Sequence, residues 1–418
     1  MLNATDFEIK ELVLESTTGI ETDLIFLMQE LNVYENIHNT CISADIVIYD
    51  ALNVIKNLPI TGHEFVRFSF RTPGQNFISL RLRVYKIDLR ELDKMHAQVF
   101  AIRCVDDSEF LNARTRISKA YKGKLISDIA EDIQTNFLSS SFNILEPTKN
   151  LHHIIPPYWT PIKTLNFLAS RANSAQYLGS NYVYYQTADG FNFVSIENLC
   201  DRSPLQSYIM QPANIRDQSV ADGYAPRTVE VDEVAIQSYK FVNNFDTLEN
   251  ATNGMYTNRL IWHDIQKKQF GENDFSYPNS YDQYKHIELN NVKGGSSQLW
   301  TSSSDYDTDA FGSLRVTPIG LPLQENYVTQ WLQPRLSQMQ QLQNVRLFVT
   351  IPGDSMRRAG DLIQITLPSP EANIEDQIQI ENYFTNRYLV SGIRHQVSRK
   401  QYLSTMELIK DSVAQSYP

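Results

Sequence analysis

The stretch Val66-Arg67-Phe68-Ser69-Phe70-Arg71, which runs into Thr72-Pro73-Gly74, decides how the first hundred residues are read. Its large apolar side chains fall on every second position. Successive side chains of a strand point to opposite faces, so one face suits a core and the other suits water. Proline then fixes φ and glycine accepts positive φ, which is turn chemistry. The same alternation returns in Ile42, Ala44, Ile46 and Ile48, in Leu80, Leu82 and Val84, and in Phe100, Ile102 and Cys104. About six strands in this span predict a small antiparallel barrel or sandwich.

After Asp107 the period changes. Leu125, Ile126, Ile129, Ala130, Ile133 and Phe137 recur at three-to-four spacing and predict a helix over about 123–138. Thr160-Pro161 announces a second helix, with Thr160 as N-cap, Pro161 at the first helical position, and Ile162, Leu165, Leu168, Ala169 and Ala172 inward. Asp189-Gly190 lies between two apolar runs, 181–185 and 190–196, and marks a hairpin turn. Residues 114–205 therefore read as an α+β domain. From 240 to 320 the chain is irregular, punctuated by Asn253-Gly254, Gly294-Gly295 and Ser302-Ser303-Ser304. A helix follows over about 325–343, kinked or restarted at Pro334, with Leu336, Met339 and Leu342 inward. Strands return from 345 to 410. There Val345 to Ile351 runs into Pro352-Gly353 as Val66 to Arg71 runs into Pro73-Gly74, a pattern that fits either a duplication or two unrelated sheets.

The whole chain has 418 residues, a formal charge of −11, and 42% hydrophobic residues, enough for about three domains with cores of their own. The acidic balance provides no global field for phosphates, which argues against a general nucleic-acid binder. Cys41, Cys104 and Cys200 show no paired spacing and read as free thiols. Asp6 and Glu8 stand where a signal peptide would be basic, and no apolar run is long enough to span a bilayer, so a cytoplasm-like compartment is expected.

Catalytic motifs are scarce. The sequence carries no Gly-x-Ser-x-Gly, phosphate-binding Gly-rich loop or His-Glu-x-x-His. His152-His153 would point apart on an extended chain. Asp305, Asp307 and Asp309 match alternate positions of a calcium loop, but Ala310 and Val316 stand where that loop needs Gly and Glu, so they are only weak metal candidates. Arg357-Arg358 is placed at a hairpin tip, either solvated or contacting an acidic neighbouring subunit. Trp159, Trp262, Trp300 and Trp331 read as packing residues.

Three segments together resemble the central baseplate hub subunit of contractile-tailed bacteriophages, a family related to late-control tail proteins and to the hub half of type VI spike proteins. They are PYWTPIKTLNFLASRANS (157–174) with NYVYYQTADGFNFVSIENL (181–199), VTIPGDSMRRAGDLIQITLP (349–368), and NRYLVSGIRHQVSRKQYLSTMELIKDS (386–412). The resemblance covers most of the chain in order, but not 240–320. It implies an α+β, mainly β fold with two similar antiparallel β-barrel domains: 1–113, and 206–239 with 321–418 including its preceding helix. An α+β domain (114–205) and an irregular peripheral domain (240–320) complete it. It further implies a homotrimer whose six barrels form a pseudo-sixfold ring joining a hexameric tail tube to a trimeric central spike. The expected partners are the chain itself, tail tube protein, central spike protein and baseplate wedge proteins, with no membrane and with DNA only passing through an acidic bore. The family offers no catalytic residues and no cofactor. Pro73, Gly74, Arg357 and Arg358 are the candidate subunit-interface residues. A charge at Phe68 or Ile102 is expected to collapse the first barrel, and Arg357→Glu to leave each chain folded while weakening assembly. The competing readings are a tail-tip peptidoglycan hydrolase acting through carboxylates, and a calcium-dependent glycan adhesin using the 294–310 loop.

Overall fold

The computed structural model describes residues 3–17, 19–50, 60–92, 98–210, 232–243, 246–264, 268–288, 290–291, 313–316, 327–369 and 384–413. The head of the chain forms seven strands: β1 (Glu8–Glu15), β2 (Glu21–Asp23), β3 (Met28–Asn36), β4 (Ser43–Asp50), β5 (Phe65–Arg71), β6 (Ile78–Leu92) and β7 (Gln98–Val105). They pair antiparallel in the order β3-β4-β7-β6-β5-β1-β2. The alternation that predicted them is realised: Val66, Phe68, Phe70, Leu82, Ile102 and Cys104 are buried in one core with Leu12, Leu14, Val33 and Ile46. Burying a Phe or Ile side chain contributes about 2 kcal/mol, so the inward rows account for why these strands curl over one face.

A short helix, α1 (Asp107–Arg114), leads into the α+β unit. This unit contains β8 (Tyr121–Lys124), α2 (Ile126–Phe137), β9 (Phe142–Leu145), β10 (Thr148–Lys149), β11 (His152–Ile154) and α3 (Pro161–Ala169), then β12 (Asn173–Ser174), β13 (Tyr182–Thr187), β14 (Gly190–Ser195) and α4 (Ile196–Cys200). Thr160 caps α3 by accepting from the Lys163 N–H at 3.4 Å, with Pro161 in the first turn, as the sequence predicts. Ile129, Ala130 and Ile133 of α2 pack on Leu165 and Leu168 of α3 and on Tyr184 and Phe193 of the hairpin. That hairpin turns through Ala188-Asp189, with Thr187 opposite Gly190, whose φ of +127° only glycine adopts readily.

The remainder comprises β15 (Ser207–Ile209), β16 (Ser238–Asn243), α5 (Thr247–Thr252), β17 (Thr257–Asp264), β18 (Gln269–Ser276), α6 (Tyr277–Ser280), β19 (Asn290–Asn291) and β20 (Ser313–Val316). It ends in α7 (Val328–Gln341), β21 (Val345–Pro352), β22 (Leu362–Thr366), β23 (Asn386–Ser398), β24 (Tyr402–Lys410) and β25 (Ser412–Val413). The tail strands run β16-β21-β24-β23, with β22 also on β23, over a core of Val345, Leu347, Val349, Ile363, Ile365, Tyr388 and Leu408.

Head and tail are one sheet. β23 is long enough that Asn386–Leu389 pairs with β22 while Gly392–Ser398 pairs with Asn36–Glu30 of β3, which joins the seven head strands with β15, β16 and β21–β24 into a 13-stranded sheet. Three expectations need correction. Among the described residues the pairings form an open path, and no ring of strands closes into a barrel. The two Pro-Gly stretches are not equivalent: β5 and β6 form a hairpin, whereas β21 pairs with β16 and β24 but not with β22. The helix at 328–341 runs unbroken through Pro334; of the residues expected inward, Leu342 is buried, Met339 packs half-buried on the same core and Leu336 is half-buried, and the buried face of the helix mixes Val328, Trp331 and Pro334 with the polar Gln333, Ser337, Gln338 and Gln341. The partner surface explains the last point. Gln333 Nε2 donates to the Asn258 and Asn273 carbonyls, and Gln341 Nε2 donates to the Asp411 carbonyl. The described residues between 240 and 320 are also more regular than expected, since β17 and β18 pair over eight residues each.

Candidate assembly junction

Three parts of the fold converge on one carboxylate. In β3 the inward row is Leu31, Val33 and Glu35, so the strand period buries a glutamate to 3% exposure. Its Oε1 accepts from the Ala188 N–H at 2.8 Å, at the tip of the α+β hairpin, and its Oε2 accepts from the Ala359 N–H at 3.1 Å, in the loop after β21. One side chain of the head thereby holds the α+β unit and the tail. Burial pushes the Glu35 carboxyl up to about 7, and the Arg358 guanidinium with the two N–H donors only partly offsets it.

Arg358 completes the junction. Its Nε and Nη2 reach the two oxygens of Asp189 at 3.1 and 3.2 Å, a bidentate pair, and its Nη1 donates to the Ser355 and Arg357 carbonyls. Burial alone would lower its pKa, but Glu35 and Asp189 outweigh burial and raise it. Arg357 lies between two carboxylates, with Nε 3.1 Å from Asp354 and Nη1 3.8 Å from Asp361. Asp354 also accepts from the Tyr208 hydroxyl at 2.7 Å. The expected hairpin tip is thus a correction: β21 and β22 do not pair, the 353–361 loop is packed, and Arg357 is 8% exposed. The two Pro-Gly stretches meet here as well. The Thr72 hydroxyl donates to the Gly353 carbonyl at 2.7 Å, and the Ser355 hydroxyl reaches Gln75 Oε1 and the Asn76 carbonyl. Pro73 is half-buried beside this contact and Gly74 is exposed.

A cavity of about 490 Å³ lies elsewhere, lined in part by Cys200, Lys285, His286 and Arg387. Cys200, His286 and the adjacent Asp411 have the residue types of a nucleophilic triad. Their wiring is structural. His286 Nδ1 pairs with Asp411 at 2.7 Å, but its Nε2 is bonded to the Tyr281 carbonyl at 3.0 Å and its ring stacks on Tyr281. No ring nitrogen is left to take a proton from a thiol, and burial holds the Cys200 thiol well above its usual pKa.

Of the other sequence candidates, His152 is buried and His153 exposed, as an extended chain dictates; burial pushes His152 down to about 4. Among the described residues no group of three His, Cys, Asp or Glu could hold a metal ion. Asp305, Asp307 and Asp309 lie outside the described residues, as does Trp300. Trp331 is buried with Leu260, and Trp262 packs against them. No described helix is long and apolar enough to cross a membrane. The outer face of the head sheet is not an acidic stripe. Arg67 contacts Glu11, Glu15 and Glu21, Arg81 contacts Glu15, Arg103 contacts Asp45 and Asp88, and Arg394 carries the pattern across the β3–β23 seam to Glu30.

The fold can be compared directly with solved structures. The 43 kDa tail protein of prophage MuSo2 from Shewanella oneidensis superposes with a TM-score of 0.56 at 10% identity, over 97% of this chain and 99% of that one. The tail protein from Neisseria meningitidis MC58 gives 0.52 at 10% identity, over 98% and 99%. This chain shares the fold of these tail proteins. A lidless PdpA–VgrG complex gives 0.50 at 11% identity, covering all of this chain and 67% of the matched one. No protein-family model and no curated protein matches the sequence.

Proposed function

We propose that the chain is a structural subunit of a contractile phage tail, the central hub of the baseplate, located in the virion and assembled in the host cytoplasm. In this reading three copies form a ring, with the two half-sheets of each chain acting as barrel-like domains, so that three chains present six positions to a hexameric tail tube. The opposite end holds the trimeric central spike, the 240–320 region meets spike or wedge proteins, and DNA passes through the middle. No turnover is required of it. The observation that carries the reading is the pair of half-sheets, each over its own core and fused edge to edge at β3–β23 within one chain of tail-protein fold. Two β units per chain in a trimer make six, which would resolve a threefold-to-sixfold mismatch. The ion-paired sheet face suits passing DNA, since its arginines are already engaged by carboxylates and offer few free cations to phosphate. Pro73 and Gly74, at the rim of the junction, remain the candidates for contact with a neighbouring subunit.

Light scattering on the purified protein, alone and with spike and tube proteins, tests this. A mass near three times 48.1 kDa, reached alone or on adding the spike, is expected. A monomer under both conditions would overturn the hub reading.

A further inference from the structure

On a chain of net charge −11, one surface is basic. Residues 110–127 contain Arg114, Arg116, Lys119, Lys122 and Lys124 and no acid, and residues 147–188 contain Lys149, Lys163 and Arg171 and again no acid. The fold brings these two segments together. β8 and β11 pair only with each other among the described residues, and an isolated bridge between Ile117 and Trp159 extends the ribbon at its other end. Strand alternation turns His152 inward and leaves Leu151, His153 and Ile155 outward. Leu151 is 54%, Ile155 63% and Tyr158 72% exposed, a concentration of apolar side chains that isolated surface residues do not make. Lys122 and Lys124 are exposed on β8, and Arg116 is exposed in the segment that leads into it. In the segment before β8, Lys119 has a carboxylate partner, Asp132 at 2.7 Å, whereas Arg116 donates to the Ala113 and Thr115 carbonyls.

We infer that this ribbon, with Leu151, Ile155 and Tyr158 at its centre and Arg116, Lys122 and Lys124 at its rim, is a docking surface for an acidic protein segment. An apolar centre inside a rim of one charge is the anatomy of a protein interface, and the rim charge fixes the sign of the partner. Of the three central residues only Tyr158 offers a stacking plane to a base, while a ribbon with unpaired outer edges offers backbone N–H and C=O groups to an extended peptide, which favours protein over nucleic acid. The inference stands on this surface and does not depend on the hub reading.

The test uses the full chain and a fluorescein-labelled peptide alternating glutamate with valine, followed by anisotropy. Its comparison probes are the same peptide with lysine in place of glutamate and a short DNA duplex. The acidic peptide is expected to bind, with affinity falling as salt rises, and the Lys122→Glu/Lys124→Glu double variant to weaken it roughly tenfold. Ile155→Ser is expected to weaken it too, with unchanged circular dichroism for both variants because all three positions are exposed. Failure of the acidic peptide to bind, equal binding by the lysine peptide, or no change in the variants overturns the inference. Preferential binding of the duplex would make this a nucleic-acid surface, and loss of a trimer in light scattering by the same variants would make it a contact between copies of this chain. Either result also overturns it.

Discussion

Glu35 provides a quantitative test of the junction. Its carboxyl is raised from an ordinary 4.5 to about 7 by burial, so the closed junction holds a proton that an opened, solvated Glu35 releases. A raised pKa gives stability that is fully present below 4.5 and is lost as pH rises through 7. The whole window is worth roughly 3.4 kcal/mol at 1.36 kcal/mol per pKa unit, of which roughly 2.5 kcal/mol falls between pH 5 and pH 8.5. The assay is hydrogen exchange of the Ala188 and Ala359 amides, the two donors to Glu35, corrected for the intrinsic pH dependence of exchange. Their protection should drop roughly 70-fold across that range relative to Glu35→Gln, which cannot ionise. The facing charges are Arg358 and Asp189, with Tyr185 and Tyr402 close by; among them Arg358 favours the carboxylate and Asp189 opposes it. If the curves of the wild type and the Glu35→Gln variant run parallel, Glu35 ionises normally in the closed junction and the burial argument is wrong.

Other outcomes follow from the same packing. Arg357→Glu would place three carboxylates together at a nearly buried site and should cost about 3–5 kcal/mol, seen as lost soluble yield and a lowered melting temperature; a soluble variant melting normally would contradict the intrachain role of Arg357. Gly360 has a φ of +90° and its added Cβ would strike the Tyr185 hydroxyl, so Gly360→Ala should destabilise by about 1–3 kcal/mol in thermal melts. Phe68→Asp buries a charge in the head core and should abolish near-ultraviolet dichroism from that unit. The same change at Phe348, 38% exposed on β21 and opposite Glu407, should cost only about 1–2 kcal/mol in denaturant titration and leave the fold intact.

How much of this was legible in the sequence depended on whether one local period decided the outcome. Phe68, Ile102 and Thr160-Pro161 sit where alternation, helical spacing and capping place them, because each obeys a rule confined to a few neighbours. Glu35 was visible in principle as a carboxylate in the apolar row Leu31, Val33, Glu35 and Ile37, yet nothing local says that its two partners lie 153 and 324 residues away. Arg357 was misplaced for a related reason. A Pro-Gly turn between two strands reads as a hairpin, and only the long-range pairing of β21 with β24 reveals a packed corner. The polar face of α7 was missed because glutamine looks like a solvent residue until Asn258, Asn273 and Asp411 supply its partners.

The seam between β3 and β23 has a mechanical meaning. Seven consecutive residue pairs cross it, from Gly392 with Asn36 to Ser398 with Glu30, in antiparallel register. A pull along these strands loads every rung together, whereas a pull across them opens one rung at a time, so the seam is stiff in shear and weak to peeling. A thrust directed along the strands would pass from one half of the chain to the other as through a single plate, with no hinge between them to absorb it.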